Sequence, residues 1–252
     1  MKKIVILIPV FNDWESLGKL VNEINEYIKE YLNINFECLV VNDSSTIKKF
    51  ELNKPKNFSS FKILNMKKNK GHARCNAFGI RYIFKKISFD YLILMDGDGE
   101  DRPVEIRSLV NKVLKDPNTS VVAKRVQRSE GILFQLLYQA HKIITYLFTG
   151  KKINFGNYSC LTKKDVEKLF SKASLWSSYS GTVKKYLKTA IIENECIARL
   201  KSDIFEGPKY LRPLIESISF RFVRCFFTDP EKLLHKLALS ERVLISSLIK
   251  QL

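Results

Sequence analysis

Tyr91-Leu92-Ile93-Leu94-Met95-Asp96-Gly97-Asp98-Gly99-Glu100-Asp101 is the stretch that decides how this chain is read. Its apolar half predicts a short buried strand, and the acidic run begins where that strand ends. Carboxylates at i and i+2 of an extended segment point to the same side. The glycines between and after them let a bulky ligand approach the backbone closely. This pattern suits a hard divalent cation held against a phosphate, because Mg²⁺ takes one or two carboxylates and completes its shell with phosphate oxygens and water. The competing reading is a solvated acidic turn, and the surrounding sequence has to choose between them.

Outward from that stretch, apolar runs alternate with helical periodicity. Strands are predicted over residues 3–8, 36–41, 61–64, 91–95 and 120–123, and helices over 14–32, 73–86 and 103–114. Buried strands alternating with helices imply an α/β fold, a mostly parallel sheet flanked by helices with ligands at the strands' carboxyl ends. Each polar cluster of the first half follows a predicted strand: Pro9-Val10-Phe11-Asn12-Asp13, Asn42-Asp43-Ser44-Ser45, Asp96 to Asp101, and Lys124-Arg125. In a parallel sheet these segments converge on one edge. Acidic and amide groups there suit a nucleobase and ribose, and Arg125 would add a charge-assisted clamp on a diphosphate.

After Arg128 the pattern changes. An amphipathic helix is predicted over 132–148, packing on the core or touching a membrane. Beyond it come a strand over 154–161, a helix over 163–170, a strand over 191–200 and a final helix through Leu233 to Leu248. The aromatic, basic run 218–227 is suited equally to an anionic lipid surface, core packing or a dimer contact. His72, at a helix start, has either a phosphate contact or a plain capping role, whereas His141 and His235 read as structural.

The 252 residues carry 43 Lys+Arg against 26 Asp+Glu, a formal net charge of +17. That excess points to phosphorylated ligands, polyanions or an anionic membrane surface. No zinc-finger spacing, RNP-like motif or compact helix-turn-helix is present, so nucleic acid is not the expected partner. Cys38, Cys75, Cys160, Cys196 and Cys225 lack C-x-x-C spacing and read as reduced thiols of a cytoplasmic protein, with Cys38 a small core residue. No signal peptide and no apolar run of membrane-spanning length is expected.

Ile-Pro-Val-Phe-Asn-Asp, Val-Val-Asn-Asp-Ser-Ser, Asn69-Lys70-Gly71 and Met-Asp-Gly-Asp-Gly-Glu-Asp-Arg-Pro, in this order, resemble the family 2 glycosyltransferases of GT-A fold. Within that family the chain is most similar to the polyprenyl-phosphate (dolichyl-phosphate) sugar transferase branch. The resemblance implies a GT-A (Rossmann-like) domain over residues 1–210 and a helical C-terminal extension over 211–252 that associates with a membrane or a dimer partner. It implies metal-dependent, inverting transfer from a nucleotide-sugar donor, with Mg²⁺ or Mn²⁺, to a polyprenyl-phosphate-type acceptor at the inner face of the cell membrane. Pro9, Phe11, Asp13, Val41 and Asp43 would line the nucleoside pocket. Asp96, Gly97 and Asp98 would serve the diphosphate and metal, with Glu100 as a further metal contact, and Arg125 would reach the diphosphate. Gly207 and Lys209 match an element that touches phosphate or acceptor, without its serine.

The family's usual Asp-Asp-Gly-Ser reads here Asn42-Asp43-Ser44-Ser45, with Asn42 for Asp and Ser44 for Gly, which leaves the base preference open. Residues 154–159 contain no carboxylate to act as a general base. A phosphate acceptor is already anionic and needs none, whereas a sugar hydroxyl normally does. Two alternatives stay open: a soluble enzyme attacking with a sugar hydroxyl in surface-glycan synthesis, and a non-catalytic polyanion- or membrane-binding protein with a degenerate nucleotide pocket.

Overall fold

Ile4 through Ile8 are completely buried in β1 (Lys2–Val10), which a strand allows only when both faces of its sheet are covered. The computed structural model describes residues 1–47, 54–125 and 155–194, without the side chains of Arg125, Glu193 and Asn194. β1 is joined by β2 (Ile34–Asn42), β3 (Ser60–Asn65), β4 (Tyr91–Leu94), β5 (Ser120–Arg125), β6 (Phe155–Thr162) and β7 (Thr189–Asn194). The sheet order is β3-β2-β1-β4-β6-β5-β7. β6 runs antiparallel to both neighbours, and every other pairing is parallel.

Alternation along β1 sends Ile4, Ile6 and Ile8 to one face and Val5 and Leu7 to the other. The first face is covered by α1 (Trp14–Ile28), through Leu17, Leu20, Val21 and Ile24, and by α3 (Ile106–Lys115), through Leu109, Val110 and Val113. Pro103 opens a 3₁₀ turn, Pro103–Glu105, ahead of α3. The second face is covered by α2 (His72–Lys86), α4 (Lys163–Leu169) and α5 (Tyr179–Tyr186). The mostly parallel α/β sheet expected from the sequence is therefore present.

Some boundaries differ from expectation. α1 stops at Ile28, leaving Leu32 exposed. β4 ends at Leu94, although Met95 remains buried. The 3₁₀ turn Ala173–Trp176 and α5 were not anticipated. The expected helix over 132–148, the end of the strand over 191–200, the extension over 211–252, His141 and His235 lie outside the described residues. Cys38, Cys75 and Cys160 are buried free thiols, and burial pushes each of them up, away from the reactive thiolate. Among the described residues no helix is long and apolar enough to cross a membrane.

Candidate active site

Because β2, β1 and β4 are adjacent and parallel, their carboxyl ends deliver three of the predicted polar clusters to one edge. The chain leaves β1 through Asn12, whose φ of 54° is left-handed. Asn12 then anchors the segment after β2: its backbone N–H donates to Ser45 Oγ at 2.9 Å, and its Oδ1 accepts from the N–H of Thr46 at 2.7 Å. Asn42 Oδ1 accepts from the Ser45 hydroxyl at 2.6 Å, closing the turn from the other side. Ser44, in that turn, sits at φ 60°. The two loops hold each other and leave Phe11 47% exposed on the rim, an aromatic face open to a flat ligand.

Asp43 is 3% exposed. Its Oδ1 accepts from the Lys70 N–H and its Oδ2 from the Gly71 N–H, both at 2.7 Å. The carboxylate thus fixes the turn that opens α2, at the edge where the sequence places the nucleoside pocket. Strand alternation places the Val41 side chain in the core on the α2 face with no exposed surface. Pro9 is buried at the end of β1, and its carbonyl is the surface on which the next loop rests.

That next loop is Asp96 to Asp101. A Cβ on Gly97 would lie 2.7 Å from the Pro9 carbonyl oxygen, so the loop crosses β1 at backbone contact. Gly99 turns with φ 81°. Asp101 is 1% exposed and accepts from the Asp96 N–H through Oδ2 at 2.9 Å. Asp98 Oδ1 accepts from the Glu100 N–H at 3.0 Å. Tyr158, on β6, donates its hydroxyl to the Arg102 carbonyl at 3.0 Å. Burial first, and then the carboxylates of Asp101 and Glu105, push that phenol well up and keep it a donor.

Among the described residues, the side chains of His72 and Asn157 meet the carboxylate of Asp96. His72 Nε2 lies 2.9 Å and Asn157 Nδ2 3.0 Å from the same Oδ1. At that distance Nε2 carries a proton, since a lone pair facing the oxygen would repel it. Asn76, one turn along α2 and buried, lies 3.5 Å from His72 Nε2. Sequence reasoning reached His72 without its partner and missed Asn76 and Asn157 as site residues. The available signal for Asn157 was its position beside the strand start in a carboxylate-free segment.

Asp13 opens α1 at the same edge, its carbonyl accepting from the Leu17 N–H at 3.2 Å. Lys124 and Arg125 end β5, where Lys124 pairs with Phe155 of β6. The side chain of Arg125, and Gly207 and Lys209 altogether, lie outside the described residues.

Among the described residues no group of three or more His, Cys, Asp or Glu side chains is arranged to hold a metal ion by itself. The donor set fits the other mode, in which one or two partly exposed carboxylates share Mg²⁺ or Mn²⁺ with diphosphate oxygens and water. Asp96 and Asp98 are of that kind, carried on a loop fixed to β1.

The model of the family described as Glycosyl transferase family 2 matches residues 5–178. Undecaprenyl-phosphate 4-deoxy-4-formamido-L-arabinose transferase of Salmonella choleraesuis (strain SC-B67) is 31% identical over 167 residues, covering 65% of this chain and 48% of that protein. The chain thus spans about half the length of the curated relatives it matches. Among solved structures, glucosyl-3-phosphoglycerate synthase from Mycobacterium tuberculosis, in complex with Mn²⁺, UDP-glucose and phosphoglyceric acid, superposes with a TM-score of 0.57. That match has 12% identity and covers 87% of this chain and 79% of the synthase. S. aureus TarS gives a TM-score of 0.51 at 12% identity, covering 78% of this chain and 36% of TarS. These likenesses establish the GT-A-like fold.

Proposed function

The chain belongs to glycosyl transferase family 2, and from that premise we propose that it is an inverting, metal-dependent glycosyltransferase moving a sugar from a nucleotide-sugar donor to a polyprenyl-phosphate-type acceptor. The observation that carries the acceptor class is Asn157. At the start of β6, 3.0 Å from Asp96, the chain presents an amide where an attacking sugar hydroxyl would call for a carboxylate base. A phosphate oxygen needs no deprotonation. It attacks the anomeric carbon directly while the bond from that carbon to the nucleoside diphosphate breaks, and the electron pair leaves with the diphosphate. The matched Salmonella relatives, named for undecaprenyl phosphate, support this acceptor class.

In this reading Phe11 stacks on the base, and Pro9 and Asp13 complete the nucleoside side. Asp43 contributes by fixing the Lys70-Gly71 turn. Asp96 and Asp98, assisted by Glu100, would hold Mg²⁺ or Mn²⁺. When bound, the ion acts as a Lewis acid that neutralises charge developing on the departing diphosphate. Gly97 lets the loop lie against β1, and Arg125 supplies positive charge to phosphates. Residues 1–210 form the catalytic domain. Residues 211–252, in a chain of net charge +17, hold it peripherally to the cytoplasmic face of an anionic membrane or to a second copy.

The test is a calorimetric screen of UDP, GDP, CDP and dTDP with Mn²⁺, followed by transfer assays with polyprenyl phosphate and with a lipid-linked sugar as competing acceptors. Asp98→Asn should abolish transfer while leaving thermal unfolding unchanged. Undiminished turnover in that variant overturns the reading. Transfer to the sugar hydroxyl alone replaces the acceptor class, and salt-sensitive polyanion binding without nucleotide affinity replaces the enzyme by a binding protein.

A further inference from the structure

We infer that His72 and Asn157 are positioning residues that together fix the carboxylate of Asp96 for the metal-diphosphate site. This rests on the proposed function above and assigns roles that the acidic motif does not contain. The two donors come from opposite sides of the pocket: His72 from the first turn of α2, Asn157 from the start of β6. They converge on the same oxygen, at 2.9 and 3.0 Å. Asp96 is thereby held by three segments, because its backbone N–H is also fixed by Asp101 at 2.9 Å. Two donors converging on one oxygen restrict rotation of the carboxylate about χ2 more than either would alone.

The placement follows from the fold. β6 runs antiparallel to β4, pairing Ser159 with Leu94, so the start of β6 reaches the edge where β4 ends. α2 begins at the same edge because Asp43 captures the Lys70 and Gly71 N–H groups ahead of it. The two donors therefore belong to rigid elements, which is what orientation of a ligand group requires. Hydrogen-bonding partners of metal-binding side chains orient them and tune their basicity, and losing one costs about 10- to 100-fold in metal affinity.

The experiment titrates Mn²⁺ into the full chain, in the presence of the nucleoside diphosphate selected by the calorimetric screen, and follows the free-ion signal by electron paramagnetic resonance. His72→Ala and Asn157→Ser should each weaken Mn²⁺ binding about 10- to 100-fold. His72→Gln, which restores a side-chain N–H donor, should recover most of the loss. Asp98→Asn serves as the reference for the site itself. If Asp98→Asn removes Mn²⁺ binding while His72→Ala and Asn157→Ser keep wild-type affinity, the positioning role is overturned and the metal site stands. If Asp98→Asn leaves Mn²⁺ binding intact, the site reading falls, and this inference with it. The two variants lie on separate elements, so a folding defect in the histidine variant leaves the asparagine variant to decide.

Discussion

Gly97→Ala tests the central geometric claim, that the acidic loop lies directly on the end of β1. The new methyl group would meet the Pro9 carbonyl oxygen at 2.7 Å and Ile8 Cγ2 at 3.3 Å. The first of these is backbone in the middle of the sheet, so it cannot swing aside. Relief requires the loop to lift by about 0.7 Å to reach an ordinary 3.4 Å contact. Overpacking of this kind costs about 1–3 kcal/mol. The same lift displaces Asp96 and Asp98 on either side, and a misplacement near 1 Å costs about 100-fold in rate. Gly99→Ala is the matched control. Its Cβ meets nothing within 4 Å, but φ is 81°, so it carries only the left-handed backbone penalty of about 1–2 kcal/mol. Denaturant unfolding and titration with nucleoside diphosphate and Mn²⁺ separate the cases. Gly97→Ala should lose both stability and ligand affinity, and Gly99→Ala stability alone. A Gly97→Ala protein that binds the diphosphate as tightly as wild type would show that the loop does not rest on Pro9, and the argument would fail.

Three smaller changes probe the supporting structure. Ser44→Gly should stabilise the chain by about 0.5 kcal/mol in urea unfolding, the relief of a left-handed φ of 60° exceeding the added freedom of the unfolded chain. Asp43→Asn turns an amide N–H₂ toward one of two backbone N–H groups now held at 2.7 Å. It should cost about 1–3 kcal/mol and weaken nucleotide binding through the Lys70-Gly71 turn, both readable by calorimetry. Thr162→Ala removes the cap that Thr162 Oγ1 provides to the Asp165 N–H at 3.2 Å. A loss of about 1 kcal/mol, seen as a lowered thermal midpoint with unchanged ligand affinity, would place α4 outside the site.

The parallel core was legible because its strands are buried on both faces. Runs such as Ile4 to Ile8 have no solvent side to encode, so they appear as unbroken apolar blocks with polar segments after them. That rule located Phe11, Asp43, Asp96 and Asp98 at one edge, but it looks only past strand ends. Asn157 reaches the site from the beginning of a strand, because β6, alone among the described strands, runs antiparallel, and strand direction leaves no mark on local sequence. His72 was visible and its partner was not, since the Asp96 contact depends on β4 and α2 meeting at one edge. The location of Asp43 was readable, but the backbone N–H groups that donate to both its oxygens belong to a loop whose path nothing in the motif specifies. The core-facing side chain of Val41 was not legible because, in a strand apolar throughout, the pattern does not say which face each residue serves. α5, only two turns long, carries too few apolar positions for its period to register.

The central position of β1 has a consequence for how the chain is made. Its first neighbour, β2, is synthesised soon after it, but its second, β4, begins only at Tyr91. At roughly 5–20 residues per second on the ribosome, the edge of β1 that β4 will cover waits several seconds while Ile4 to Ile8 are already exposed to solvent or chaperones. A strand that apolar, with one ladder edge unpaired, is the kind of segment that recruits the wrong partner. The aggregation hazard is therefore greatest at β1, during synthesis and before the acidic loop exists.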